Sequence, residues 1–178
     1  MKICIFCSAN DRIDSDFFLL TEELGRWAAS EGHTIVYGGV NCGLMECVSK
    51  AAHEQGGKTI GVIPRIVEQG GRMSQYVDVD ILCDNLSDRK QLMEDQSDVF
   101  IALPGGIGTL DEVFTIAASA TIGYHQKRVI LYNMKGFWDK LIAMLDELHA
   151  KGLTRRPWRT YMEVANNLDE IKDFLAKG

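Results

Sequence analysis

The sequence predicts an α/β protein, an open, mostly parallel sheet of about seven strands with helices on both faces. Three observations carry this. Short apolar runs alternate with amphipathic helical patterns from end to end. Nearly every strand-to-helix junction carries glycine, proline or a polar residue. No repeat, linker or low-complexity segment interrupts the alternation. Strands separated by helices pair in parallel through right-handed crossovers, which place helices on both sheet faces. With 178 residues and 46% hydrophobic content, the chain suits a single domain, 1–178, with a substantial core.

The elements follow in order. KICIFC (2–7), TIVYG (34–38), KTIGVI (58–63), VDIL (79–82), DVFIAL (98–103), RVILY (128–132) and the weaker MEVA (162–165) read as strands. In 16–31, Phe17, Leu20, Leu24, Trp27 and Ala28 share a helical face, and Gly32 ends it. Leu44, Val48 and Ala51 or Ala52 recur in 43–55. Residues 86–97 form a shorter, more polar helix, and 109–124 another. Phe137, Leu141, Met144, Leu145 and Leu148 stripe 137–150. The last helix, 168–176, opens with Asn167 and Glu170, a variant of the capping box. Residues 64–78, containing Gly70-Gly71, are the one long irregular stretch, equally readable as a gate or as a surface loop.

Composition excludes several classes. The net charge of -6 argues against nucleic-acid binding, which needs a basic face. No apolar run is long enough to span a bilayer, and MKICIFCSAND lacks a leader's cleavage pattern, so no membrane association and a cytoplasmic location are expected. The five cysteines read as reduced thiols. Cys4 and Cys7 form C-x-x-C inside a strand, where the spacing puts them on opposite faces, unlike a redox pair at a helix start. The four histidines are scattered, so no metal site or catalytic triad is expected.

Ligands of such sheets bind beyond the carboxyl ends of the strands, and the unusual residues gather there. Ser8 follows the first strand and reads as a phosphate or cap hydroxyl. GGVNCGLM (38–45) follows the second, a turn whose glycines and helix N-terminus suit an anion, or else a tight turn packed on the sheet. Arg89 and Lys90 open the helix after the fourth strand. Cations there cost about 0.3–1 kcal/mol unless an anion or a carboxylate lies near. LPGGIGTLDE (103–112) follows the fifth strand. Thr109 reads as a helix N-cap, with Glu112 three residues on completing a capping box. The same Glu112 is equally readable as a functional carboxylate.

Taken together, GGxxxGLM, a helix with RK, and PGGxGTxxE resemble the LONELY GUY (LOG) family of cytokinin riboside 5′-monophosphate phosphoribohydrolases and relatives acting on AMP, some labelled lysine decarboxylase-like. The resemblance covers nearly the whole chain, through GYHQKRV (123–129) and KGFWDKL (135–141). It implies a Rossmann-like homodimer that hydrolyses the N-glycosidic bond of a purine nucleoside 5′-monophosphate, without cofactor or metal. It places the catalytic pair on Arg89 and Glu112. It places phosphate and nucleotide contacts on Ser8, Gly39, Gly43, Leu44, Lys90, Gly105, Gly106, Ile107, Gly108 and Thr109. A carboxylate beside C1′ stabilises positive charge on the ribose and activates water. The capping bond and the helix dipole would keep Glu112 ionised. Asp88 is a candidate acid for the departing base. The chain departs from the family pattern at Leu86-Ser87-Asp88, Ser119–Gly123, Val40 and Glu46. The alternative reading is a non-catalytic nucleotide or molybdenum-cofactor binder on the same fold; no lysine sits in a Schiff-base setting that would suit a decarboxylase.

Overall fold

Strand β1 (Lys2–Phe6) lies at the centre of a seven-stranded sheet, ordered β4-β3-β2-β1-β5-β6-β7. The computed structural model describes residues 1–177. The other strands are β2 (Thr34–Tyr37), β3 (Lys58–Pro64), β4 (Val79–Cys83), β5 (Val99–Ala102), β6 (Val129–Tyr132) and β7 (Met162–Ala165). All six pairings are parallel. The chain first winds outward from β1 to β4, then returns across the sheet to β5 on the other side of β1. Strand order reverses there, and the crevice for a ligand opens between the ends of β1 and β5. Ser8 N–H donates to Pro104 O across this crevice at 3.1 Å.

The alternation along β1 sorts the core into two layers, because successive side chains point to opposite faces. Ile3, Ile5 and Cys7 pack with Leu24, Leu44, Val48 and Ile171 beneath α1 (Ser15–Ser30), α2 (Gly43–Glu54) and α7 (Leu168–Ala176). Cys4 and Phe6 pack on the other side with Met93, Val113, Ile116 and Leu145, from α4 (Leu86–Asp95), α5 (Ile107–Thr121) and α6 (Asp139–Ala150). Cys4 and Cys7 therefore lie in different layers, and burial pushes both thiols well above the usual range. At α7 the sequence reading holds: the Asn167 side chain accepts from Glu170 N–H, and the Glu170 carboxylate accepts from Asn166 N–H.

Three expected boundaries move. α5 starts at Ile107, two residues earlier than the sequence suggests. A 3₁₀ turn, Met134–Gly136, precedes α6, which begins only at Asp139. Within 64–78, residues Arg65–Gln69 form a short helix, α3. The rest of that segment is tied to the β2–α2 turn by an antiparallel Val40–Met73 bridge and by Asn41 N–H to Arg72 O and Ser74 N–H to Gly39 O, both 2.9 Å. Among the described residues no helix is long and apolar enough to cross a membrane.

Candidate active site

The start of α5 sets the geometry. Gly106 is the N-cap residue and has no side chain to cap with, so the helix begins with no side-chain cap bond. Backbone donors at Ile107, Gly108 and Thr109 precede the first helical bond, Leu110 N–H to Gly106 O at 3.1 Å. Such donors, with the positive end of the helix dipole, form a seat for an anion. Thr109 is not the N-cap. It sits in the third helical position, buried, with its hydroxyl packed so closely on Gly105 that a Cβ there would collide with it. The expected capping box is therefore absent. Two glycines let the chain turn into the helix before Thr109, and this takes Glu112 out of reach of a cap.

Glu112 is instead 4% exposed and faces Arg89, itself 8% exposed. Arg89 Nη1 donates to Glu112 Oε1 at 2.5 Å, and Arg89 Nε donates to the Val62 carbonyl of β3 at 3.2 Å. The carboxylate offsets the cost of a cation in the first turn of α4. Gly38, at the end of β2, completes the seat of the guanidinium: a Cβ on Gly38 would strike Arg89 Nη2 and the Met45 sulfur. The expectation that a capping bond keeps Glu112 ionised fails with that bond. Burial pushes its carboxyl above the usual glutamate range, and the charge and hydrogen bond of Arg89 oppose the rise.

Lys90, next along α4, is held by both Asp111 oxygens, at 2.8 and 2.9 Å. Asp88, the candidate acid, accepts from Asn85 Nδ2 at 2.7 Å at the exposed start of α4, where the Asn85 side chain caps Ser87 and Asp88 N–H.

The second glycine-rich junction is built differently. Gly43 N–H donates to Asp11 Oδ1 at 2.7 Å, and Leu44 N–H donates to Ser8 O at 2.9 Å. The first donors of α2 are thus taken by the chain's own loop, and Leu44 is fully buried. Gly39 packs against Ile63. Gly43 adopts φ +61°, and a Cβ on it would lie 2.6 Å from Ser8 O, Ala9 C and Asn10 N. Gly39, Gly43 and Leu44 so shape the loop that carries Ser8, whose hydroxyl accepts from Asn10 N–H at 3.1 Å. Asp11 and the Val62 carbonyl had no sequence signal, and Gly38 and Asp111, although inside the two quoted motifs, gave no sign of their partners Arg89 and Lys90, which are distant in the chain.

A family model described as "Possible lysine decarboxylase" matches residues 45–175. Curated relatives named cytokinin riboside 5′-monophosphate phosphoribohydrolase align over almost the full chain. The Mycobacterium tuberculosis protein is 36% identical, across 97% of this chain and 90% of its own. The Mycobacterium marinum protein is 33% identical, across 99% and 94%. The chain belongs to the LOG family. Among solved structures, a molybdenum-cofactor carrier protein from Chlamydomonas reinhardtii is 25% identical, with a TM-score of 0.74 over 99% of this chain and 98% of its own. The LOG motifs converge on one crevice: PGGIGT at the end of β5, Ser8 at the end of β1, and Arg89 with Glu112 between α4 and α5. Departures from the LOG pattern are spread more widely, at the crevice side and at the far end of α5. Leu86 is exposed at the start of α4, Ile122 is exposed just past α5, and Glu46 has one carboxylate oxygen buried without a hydrogen-bond partner among the described residues.

Proposed function

We propose that this protein is a phosphoribohydrolase that cleaves the bond between C1′ and the base nitrogen of a purine riboside 5′-monophosphate. Water adds to C1′, the bonding electrons leave with the base, the proton given up by the water is passed on to the base nitrogen, and free base and ribose 5-phosphate result. One observation carries the reading: a buried arginine–carboxylate pair stands one turn beyond an uncapped helix N-terminus. The N–H groups of Ile107, Gly108 and Thr109, with the Ser8 hydroxyl, hold the phosphate, and Gly105 and Gly106 let it approach the backbone. The ribose then lies toward Glu112. Its carboxylate stabilises the positive charge developing on the ring and takes a proton from the attacking water. Burial, by raising its proton affinity, improves it as a base. Arg89 orients Glu112 and faces the ligand oxygens.

The test is release of free base from AMP and N6-modified AMP, followed by chromatography. Adenosine, lacking the phosphate, is expected to show a kcat/KM lower by a factor of about 100 or more, because phosphate binding energy positions the ribose. Equal turnover of adenosine would remove the phosphate seat. The likeness to the Chlamydomonas reinhardtii carrier favours a second reading, a molybdenum-cofactor binder. That reading predicts no base from any monophosphate.

The protein is further read as a cytoplasmic homodimer. Phe114, Ile122 and Leu153 leave an apolar groove of about 480 Å³ exposed between α5 and the end of α6, and large exposed apolar patches mark association sites. Light scattering is expected to give twice the monomer mass, and Ile122→Asp to shift it to monomer. An unchanged mass for that variant would place the interface elsewhere.

A further inference from the structure

The amino ends of the strands carry a second polar cavity, remote from the crevice. Arg128 immediately precedes β6, and Tyr161 immediately precedes β7. Both line a cavity of about 340 Å³ together with Lys127, Arg156, Thr160 and His125, and no carboxylate lines it. In a chain of net charge -6 such sorting is not automatic. A cavity of similar volume between α1 and α2 is lined by Asp11, Glu22, Glu46 and Glu54, with Lys50 as its one cation. Ala120 and Gly123 close the basic cavity at and just past the carboxyl end of α5. The anion seat lies at the other end of that helix, about 20 Å away.

The chain supplies donors here that it does not match with acceptors. Lys127 and Arg156 have no ion-pair partner among the described residues. Lys127 Nζ donates only to the neutral Glu94 carbonyl, at 2.6 Å. Arg128 commits one nitrogen, Nη1, to Glu163 at 2.8 Å, and a guanidinium has further donors to offer. His125 Nδ1 accepts from Lys127 N–H at 3.1 Å, so its ring proton sits on Nε2. That N–H is buried without a hydrogen-bond partner, 3.9 Å from the Glu94 carboxylate. The Thr160 and Tyr161 hydroxyls add two more donors. A phosphate group matches this set. Its oxygens surround one tetrahedral centre and can take a guanidinium fork, an ammonium and hydroxyls together. The concave shape suits a small molecule, and the negative charge of the chain repels a long polyanion such as nucleic acid.

We propose that this cavity binds the phosphate group of a small anion, inorganic phosphate or a phosphate monoester, with Arg156 and Arg128 gripping the phosphate and Lys127, Thr160 and Tyr161 completing its shell. The site is separate from the crevice and does not depend on the hydrolase reading. It is tested by titrating ¹⁵N-labelled wild-type protein with inorganic phosphate and, separately, with ribose 5-phosphate, at an ionic strength held constant with chloride. Amide signals of 123–128 and 156–161 are expected to shift and saturate together, with a Kd of their own, apart from those of 105–110. Tighter binding of ribose 5-phosphate assigns the site to an ester, and tighter binding of phosphate assigns it to the free anion. Arg156→Gln should weaken the binding by about tenfold or more, and Arg156→Lys should recover only part of it, because the fork is lost. Arg156 is exposed, so both variants should keep the wild-type Tm. Shifts confined to 105–110, equal shifts in a chloride titration, or unchanged affinity in Arg156→Gln would overturn the proposal. So would a fall in Tm with binding intact, the result expected if these cations only complement the carboxyl end of α5.

Discussion

Replacing Glu112 with glutamine is expected to lower kcat by about a thousandfold and to destabilise the fold by about 3 kcal/mol. The first figure follows from losing the fixed charge that stabilises the transition state and the base that activates water; removing one such electrostatic group costs roughly 10²–10³ in rate. The second follows from Arg89. Its guanidinium is buried against Glu112 Oε1 at 2.5 Å, and taking away one partner of a buried pair leaves an uncompensated charge, at a cost of about 3–5 kcal/mol. Glutamine keeps an acceptor oxygen, which places the loss at the lower end. A glutamate that only capped its helix would lose about 1 kcal/mol or less, so denaturant unfolding separates the two roles. Turnover within tenfold of wild type would remove Glu112 from the chemistry. The double variant Arg89→Met/Glu112→Leu should recover much of the stability and none of the activity, because an apolar pair leaves no buried charge behind.

The second large effect is expected at Gly43. Alanine there must adopt φ +61°, which costs an L-residue about 1–2 kcal/mol. Its Cβ would also lie 2.6 Å from three backbone atoms of Ser8, Ala9 and Asn10. Backbone cannot swing aside as a side chain can, and overpacking of this kind costs typically 1–3 kcal/mol. The sum is about 3 kcal/mol or more, measured as a fall in Tm and denaturation midpoint. The Ser8 loop must shift to relieve the contact, so KM for a monophosphate should rise as well. Gly106→Ala is the control: no atom lies within 4 Å of its added Cβ, so stability should change by less than about 1 kcal/mol. Equal stability losses at the two glycines would refute the close-packing account of Gly43.

The two positions show where local reading works and where it stops. At Asn167 and Glu170 the cap is made by residues three apart, and sequence and structure agree. At Thr109 and Glu112 the same spacing misleads. The turn Gly105-Gly106 starts α5 early, and a guanidinium 23 residues upstream offers the carboxylate a better partner than a backbone N–H. The GGVNCGLM turn also divides. Glycine at 39 and 43 was legible as a requirement of the turn, but Asp11, which occupies the Gly43 N–H, was not, because nothing in its neighbourhood marks it. Gly38 was legible as part of the same turn, but its role was not: its missing Cβ matters because Arg89 and Met45 fill the space.

The sequence by itself determined the alternating α/β order, the two-sided core and the crevice at which the motifs meet. These follow from periodicities of 2 and 3.6 residues and from turn residues, all forces that act within a few positions of the chain. Only the tertiary structure decided the pairings. It turned Glu112 from a helix cap into the partner of Arg89, gave Lys90 to Asp111, and closed the start of α2 with Asp11 while leaving the start of α5 uncapped. Each of these joins groups from separate elements, and their energies depend on distance and burial, which exist only once the sheet has set β5 against β1 and β3 one strand further, beyond β2.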